Sequence, residues 1–247
     1  MVAMSELSEI VHPLRRDVKV LTMKLLSALK DFYTFKELEE ILGIPYQMLW
    51  RYTNFLTTPE EGTAKRLIQI IKEKKLIENT FEKNFMKAKD LSDIWSIIKN
   101  IGFLDLVAFE TLELLNGENI DGVLAFPEES GVLGAVISHW IRGDVCVTTK
   151  SVSLGEALVE YFRDSSMELD FIAVSKGCIP KKGKVILATL LLNNKELLEA
   201  ALTLVKKGGA QPAALVAIFA VEGSWERTIE SFGLHKYKIF RYLTLSR

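Results

Sequence analysis

Residues 183–219 read GKVILATLLLNNKELLEAALTLVKKGGAQPAALVAIF and carry the clearest architectural signal in this chain. An apolar run at 184–192 is followed by a helical segment from Lys195, and a second apolar run follows at 214–221. Apolar strands separated by helices indicate a parallel sheet that is covered on both faces. Ligands of such sheets bind beyond the carboxyl ends of the strands.

The same alternation extends over the whole segment from residue 119 to residue 247. We therefore predict an α/β domain with a parallel sheet over this segment. The further apolar runs and helical segments are VLAF at 123–126, GVLGAVISHWI at 131–141, VCVTT at 145–149, FIAVS at 171–175, SWERTIESFG at 224–233 and YKIFRYLTL at 237–245.

Residues 120–243 resemble a type I phosphoribosyltransferase in the order and spacing of these segments. DGVLAFPEESGVLGAVISHWI resembles the family's first strand, its pyrophosphate loop and the helix that follows. GDVCVTTKS resembles the next strand, with Lys150 where the family often has a basic residue. The run at 183–219 resembles the strand, phosphoribosyl-pyrophosphate loop, helix and strand of the family's signature. The resemblance implies a phosphoribosyltransferase-like fold.

The signature loop departs from the family's residues. The family has two acidic residues, which hold the ribose hydroxyls, and then Thr-Thr-Gly-Gly-Thr, whose backbone N–H groups wrap a phosphate. Here Ala188 and Thr189 stand at the acidic positions, and LNNKE at 192–196 replaces the phosphate loop. Asn193 is a good N-cap and Glu196 follows three residues later, so the loop is predicted to cap its own helix. We expect that the domain has lost catalysis, that the chain is not an enzyme, and that it has no cofactor.

A second loop, from Pro127 to Gly131, keeps the family's Pro-Glu pair and a glycine before the helix. It could bind a ligand, or it could be a tight strand-to-helix turn that is kept for packing. We expect that any effector is a nucleotide or a phosphoribosyl compound. The candidate residues for binding it are Glu128, Glu129, Ser130, Gly131, Lys150, Asn193, Asn194 and Lys195.

The N-terminal segment has the pattern of helices separated by tight turns. Residues 18–32 carry apolar side chains at helical spacing. Thr34 and Glu37 form a capping-box pattern at the start of a second helix. Gly43 is a predicted left-handed C-cap, and Pro45 suits the first position of a third helix.

The third helix, from Pro45 to Phe55, is predicted to bury Leu49 and to expose a face suited to DNA. A short helix, a tight turn and a second helix with a polar outward face form a helix-turn-helix, whose second helix enters the major groove. Gln reads adenine and Arg reads guanine, while Tyr and Asn hold phosphates. The alternative is a helical hairpin that packs against its own chain. The predicted DNA-binding residues are Tyr46, Gln47, Trp50, Arg51 and Asn54.

The stretch TFKELEEILGIPYQMLWRYTNFLTTPEEGTAKRL resembles the tetrahelical helix-turn-helix of repressor-type regulators. RYTNFLTTP matches that family's RY-x-x-G-x-x-x-P ending, with Asn54-Phe55 where a glycine is usual. The combination with a phosphoribosyltransferase-like domain resembles prokaryotic and archaeal regulators built on this fold. We therefore expect a homodimeric transcription regulator that binds double-stranded DNA.

Composition sets broad limits on the protein. Hydrophobic residues make up 49% of the 247 and charged residues 26%, which allows a sizeable core, and the net charge of −1 by itself gives no indication of nucleic-acid binding. The sequence has no 18-residue apolar run and no signal-peptide pattern, so we expect a cytoplasmic, nucleoid-associated protein without membrane contact. Cys146 and Cys178 lack the spacing of a zinc site, and we expect two reduced thiols and no metal.

The predicted domain plan has three parts. Residues 1–80 form the helix-turn-helix domain, 81–118 a helical linker, and 119–247 the phosphoribosyltransferase-like domain. Two alternatives stay open. The chain could be a divergent phosphoribosyltransferase with a helical N-terminal cap, or a regulator that binds protein through exposed Tyr46 and Trp50.

Overall fold

A computed structural model gives the architecture of the chain. The chain divides into two compact units between Phe109 and Glu110. Unit 1 is helical, whereas unit 2 contains the sheet. The described residues are 17–86, 94–151, 156–164, 166–221 and 225–243.

Unit 1 is built from helices whose buried sides follow the predicted periodicity. Its helices are α1 (Val18–Leu29), α2 (Phe35–Leu42), α3 (Tyr46–Thr53), α4 (Glu61–Glu73), α5 (Leu76–Phe85), α6 (Ile94–Ile98) and α7 (Ile101–Leu115), the last of which continues into unit 2. In α1, Leu25, Leu26 and Leu29 are fully buried, as the helical spacing of apolar residues predicts.

The two ends of α2 confirm the predicted caps. Thr34 Oγ1 accepts a hydrogen bond from the Glu37 backbone N–H at 3.2 Å, and a Glu37 carboxylate oxygen accepts from the Thr34 N–H at 2.7 Å. The hydrogen bonds from the Thr34 backbone and side chain hold the pKa of Glu37 below its ordinary value. Gly43 ends the helix in the left-handed conformation, with φ +65°. Three residues, 43–45, then connect α2 to α3.

An aromatic cluster joins α5 to α7 within unit 1. The rings of Phe81 and Phe85 meet the ring of Phe103 edge-on, with centroids 5.2 and 5.7 Å apart. Residues at the start of the segment 81–118 therefore pack in the core of unit 1. The assignment of that segment as a linker stays a prediction.

Unit 2 has the predicted α/β fold. Its strands are β1 (Gly122–Ala125), β2 (Asp144–Val147), β3 (Ala157–Arg163), β4 (Leu169–Ser175), β5 (Lys184–Leu192), β6 (Gln211–Val221) and β7 (Tyr237–Leu243), and its helices α8 (Gly131–Ile141), α9 (Lys195–Lys207) and α10 (Trp225–Ser231). Five of the strands form a sheet in the order β2-β1-β5-β6-β7, in which all neighbours are parallel. This architecture confirms the predicted fold class.

Helices cover both faces of the parallel sheet. Leu124 and Leu187 are fully buried in the core that includes α9. On the opposite face Ala125 contacts α8, where a Cβ atom added to Gly134 would lie 2.7 Å from the Ala125 Cβ. Because the side chains on both faces of β1 are buried, this strand is an unbroken apolar run in the sequence.

The run FIAVS at 171–175 does not belong to the parallel sheet. It lies in β4, which pairs antiparallel with β3 in a separate two-stranded hairpin. Leu158 and Phe162 of β3 pack against the same core as Ile172 and Val174 of β4. The alternating pattern placed this strand wrongly, because a short apolar run does not specify which strand it pairs with.

The prediction of two reduced thiols is wrong. Cys146 in β2 and Cys178 after β4 form a disulfide, with their Cα atoms 5.6 Å apart. The two residues are separated by 32 positions in the sequence. The β3–β4 hairpin lies between the two cysteines and brings Cys178 close to β2. The spacing of the cysteines in the sequence does not predict this proximity.

Candidate functional site

The outward face of α3 is the first candidate site. This helix packs against α1 and α2 and buries Leu49, as predicted, together with Tyr52. The predicted DNA-binding residues all lie on its exposed side, where Tyr46 keeps 50% and Trp50 48% of its accessible surface. The full set on that side is Tyr46, Gln47, Trp50, Arg51 and Asn54.

The two ends of α3 differ in how their backbone groups are satisfied. Pro45 is the N-cap, and its side chain accepts no hydrogen bond from the first N–H groups of the helix. At the other end the Asn54 Nδ2 group donates to the Trp50 carbonyl at 2.8 Å. Asn54 is therefore exposed as predicted, but its amide group also holds the end of its own helix.

The charge on this face comes from one side chain. Arg51 is the only formally charged residue between Gly43 and Pro59. Within the described parts of the chain Arg51 is exposed and makes no salt bridge. In the next helix, α4, the Lys65 ammonium group lies 2.5 Å from the Glu61 carboxylate. This contact holds the pKa of Glu61 below its ordinary value. The face of α3 thus offers a cation without a neighbouring acid in the sequence.

The junction of β5 and α9 is the second candidate site. Ala188 and Thr189, at the positions where the resembling family has its acidic pair, lie inside β5 and are fully buried. The strand continues to Leu192, which pairs with Ala220 of β6. Only residues 193 and 194 then separate the strand from α9.

The cap of α9 is Asn194 and not Asn193, so the predicted cap is one residue too early. Asn194 Oδ1 accepts from the Leu197 N–H at 3.0 Å, and its Nδ2 donates to the Arg163 carbonyl of β3 at 3.1 Å. Because the third helical residue is then Leu197, Glu196 cannot complete a capping box. Glu196 instead lies 3.6 Å from the neighbouring Lys195 ammonium group, and both side chains are about half exposed.

The loop from Pro127 to Gly131 is tied to the sheet. Glu128 to Ser130 form a single 3-10 turn, and α8 starts at Gly131. Ser130 is fully buried, and its Oγ accepts a hydrogen bond from the Leu190 N–H at 3.0 Å. Glu128 and Glu129 are exposed. Ser130 therefore joins the loop to β5, while the two glutamates remain open to solvent.

Lys150, the remaining candidate, lies beyond β2 and pairs with β4. Its ammonium group is 2.5 Å from Asp170 Oδ2 and holds the pKa of Asp170 below the ordinary value. The hairpin β3–β4 thus contacts two candidate residues, Lys150 through Asp170 and Asn194 through the Arg163 carbonyl. Sequence reasoning did not anticipate this hairpin, and the only signal for β3 was the apolar and aromatic run ALVEYFR at 157–163.

The described residues contain neither a candidate membrane span nor a candidate metal cluster. No helix there is both long enough and apolar enough to cross a bilayer. No group of three or more His, Cys, Asp or Glu side chains in that part of the chain is arranged to hold a metal ion.

Comparison with known proteins supports the fold of unit 2. No protein-family model matches the sequence, and no curated protein matches it significantly. The adenine phosphoribosyltransferase from Thermoanaerobacter pseudethanolicus superposes with a TM-score of 0.52 at 15% identity, covering 63% of this chain and 88% of that chain. The enzyme from Leishmania tarentolae gives 0.50 at 17% identity, covering 62% and 74%. At these identities the similarity shows a shared phosphoribosyltransferase-like fold.

The expectation that the chain is not an enzyme is wrong. It followed from the altered residues of the signature loop. The two solved structures compared above are adenine phosphoribosyltransferases, which are enzymes. The fold that unit 2 shares with these proteins therefore gives no support to that expectation.

Proposed function

We propose that this protein is a DNA-binding transcription regulator. In this proposal α2, the connection 43–45 and α3 form a helix-turn-helix, and α3 enters the major groove. The observation that carries the proposal is the outward face of α3, which holds Gln47 and Arg51 beside two exposed aromatic side chains. These are residue types that read adenine and guanine by paired hydrogen bonds.

The start of α3 supports the same proposal. The cap residue, Pro45, supplies no side-chain acceptor for the first N–H groups of the helix. Free N–H groups at a helix N-terminus bind phosphate oxygens, and the helix dipole adds to the attraction. No Asp or Glu lies between Gly43 and Pro59 to repel a phosphate. Backbone phosphates would position the helix, and Gln47 and Arg51 would supply sequence preference.

In the same proposal unit 2 forms a homodimer and binds a nucleotide or phosphoribosyl-type effector. A dimer would place two recognition helices one DNA turn, about 34 Å, apart and would require a nearly palindromic site. The effector would lie beyond the carboxyl ends of β1 and β5, as in other open parallel sheets. Glu128, Glu129 and Lys195 are exposed in the segments that follow those two strands.

Selection from a random-sequence duplex pool tests the DNA proposal. The parent protein should enrich a common, nearly palindromic sequence, and Gln47→Ala should lower its affinity for that duplex. Gln69→Ala is the matched control, because Gln69 is an exposed glutamine of α4 that bonds only within its own helix, to Glu73 at 2.7 Å. A pool without enrichment, or equal losses in the two variants, would contradict the proposal.

A second candidate function is phosphoribosyl transfer with unit 1 as a helical cap. The fold shared with adenine phosphoribosyltransferases favours it. The test is pyrophosphate release from phosphoribosyl pyrophosphate with adenine, compared with the rate without a base. Base-dependent release would support this candidate, and a rate independent of the base would contradict it for adenine.

A further inference from the structure

Phe55, which follows the C-cap residue Asn54 of α3, has a backbone conformation that suits glycine. Its φ is +56°. The N–H groups of Phe55 and Leu56 donate to the carbonyls of Tyr52 and Arg51 at 3.1 and 2.9 Å, which closes the helix in a Schellman motif. Glycine is favoured at this position, because the left-handed conformation brings a Cβ atom close to the following carbonyl oxygen.

Packing within the described parts of the chain does not account for the phenylalanine. Phe55 keeps 53% and Leu56 58% of its accessible surface. A glycine at position 55 would make the same hydrogen bonds without the Cβ contact. Five other described non-glycine residues also have a positive φ, but Phe55 is the only aromatic residue among them. Its half-exposed ring stands at the end of the outward face of α3, where it is available to a partner.

The surroundings of Phe55 indicate what it contacts. Arg51 lies one helical turn before it and, within the described residues, makes no salt bridge. The whole stretch from Gly43 to Pro59 has no acid. This surface is formed by one helix and its end, and it combines the Arg51 cation with exposed aromatic rings. A polyanion with apolar groups in a groove has the complementary chemistry, which is that of DNA with its phosphates, deoxyriboses and thymine methyl groups.

We infer that Phe55 and Leu56 make an apolar contact to DNA at the rim of the groove that α3 enters. The two side chains would lie against deoxyribose and thymine methyl groups, next to Arg51. This inference rests on the proposed function, since it assigns a further contact to the same interface.

The substitution Phe55→Gly separates this role from a structural one. Without DNA the variant should melt about 2 to 4 °C above the parent, because glycine relieves the left-handed strain. Its affinity for the duplex that the parent selects from a random pool should fall about tenfold, because an apolar contact is lost. Phe55→Asn, a residue that also tolerates this conformation, should lose affinity to the same extent. A purely structural role would raise the melting temperature and leave the affinity unchanged.

Three outcomes would overturn the inference. If Phe55→Gly binds DNA as tightly as the parent while Arg51→Ala binds more weakly, only the Phe55 contact is wrong. If Arg51→Ala and Gln47→Ala also bind as the parent does, or no duplex is selected, the proposed function fails as well. If Phe55→Gly instead dissociates a dimer in sedimentation, with unchanged DNA affinity for each subunit, the surface is an interface between copies.

Discussion

Helix α3 in unit 1 and helix α9 in unit 2 both start after a short connection, but their first N–H groups have different partners. The residue before α3 is Pro45, whose side chain has no acceptor atom. The residue before α9 is Asn194, whose Oδ1 accepts the Leu197 N–H at 3.0 Å. An uncapped helix start is suited to a phosphate, whereas an internally capped start already has a partner for one of its donors.

The cap of α9 differs from the arrangement that a phosphoribosyltransferase-like domain would suggest for this helix start. In the family that unit 2 resembles, the helix after the signature loop faces a phosphate. Here that helix start bonds to its own cap, and the cap also bonds to the Arg163 carbonyl. The start of α3 in unit 1 has no side-chain cap, and neither has the start of α8 in unit 2. Two exposed carboxylates, Glu128 and Glu129, precede α8 and would repel an anion, so we expect α3 to be the stronger site for phosphate.

The largest expected effect concerns the disulfide, which only unit 2 contains. Reduction of Cys146–Cys178 should lower the stability of unit 2 by about 3 to 4 kcal/mol, because the open chain gains entropy in the unfolded state. The thermal transition of unit 1 should not move. Thermal melts followed by circular dichroism, with and without dithiothreitol, measure both transitions.

The control for reduction is the double variant Cys146→Ala and Cys178→Ala. It should melt like the reduced parent and should not respond to dithiothreitol. A parent whose melting is the same with and without the reductant would contradict this prediction. It would also remove the disulfide from the comparison of the two units.

The next largest expected effect tests whether α3 is the DNA-recognition helix. Arg51→Ala should weaken binding to the selected duplex by about 1 to 3 kcal/mol if the guanidinium reads a base. Folding should be unchanged, because the side chain is exposed. Electrophoretic mobility shifts at fixed salt measure the affinity. Lys181→Ala, which removes an exposed cation from unit 2, is the control and should bind as the parent does.

A smaller effect tests the cap of α9 directly. Asn194→Ala should destabilise unit 2 by about 0.5 to 2 kcal/mol, because the Leu197 N–H loses its acceptor. Asn193→Ala is matched in chemistry and lies one position away, and it should change the stability by less than about 0.5 kcal/mol. Urea unfolding of both variants measures the two changes in the free energy of unfolding. A larger loss in the Asn193 variant would restore the cap predicted from the sequence.

The smallest effect concerns the ion pair that joins Lys150 to the hairpin. Lys150→Met should raise the pKa of Asp170 toward its ordinary value and should cost about 0.2 to 1 kcal/mol at neutral pH, because water screens the partly exposed pair. The pKa of Asp170 is lowered in the folded state. Its contribution is therefore present above the unfolded pKa, about 4, and is lost as the pH falls through the folded value.

Carboxylate titration by NMR, together with urea unfolding at neutral and acidic pH, measures both quantities. In unit 1 the corresponding variant is Lys65→Met. It should raise the pKa of Glu61, and its effect should stay within α4, because both residues belong to that helix. If Asp170 titrates identically in the parent and in Lys150→Met, the ion pair does not form in solution.

The N-terminal caps of α2 and α9 show which structural features could be predicted from the sequence. The capping box of Thr34 and Glu37 was predicted correctly, because both partners lie within one helical turn. The cap of α9 was placed one residue early. Leu192 still pairs with Ala220 of β6, and this pairing sets where the strand ends and where the helix can start. A cap that depends on the end of a strand requires knowledge of that strand's partner.

For the candidate sites, too, local features could be predicted from the sequence and long-range contacts could not. The exposure of Tyr46 and Trp50 follows from helical periodicity, which is a local property. The hydrogen bond from Leu190 to Ser130 and the ion pair of Lys150 with Asp170 span 60 and 20 positions. Neither could be predicted from residue types, because the sequence does not state which loops the sheet brings together.

The sequence by itself determined the α/β class of unit 2, the periodicity of the helices and the caps of α2, because burial patterns and local hydrogen bonds involve residues that are close along the chain. The tertiary structure alone decided the separate β3–β4 hairpin, the disulfide between Cys146 and Cys178, and the cap at Asn194. Each of these requires two distant segments to meet. Their meeting is fixed by the packing of the whole sheet and its helices, which is a property of all the residues together.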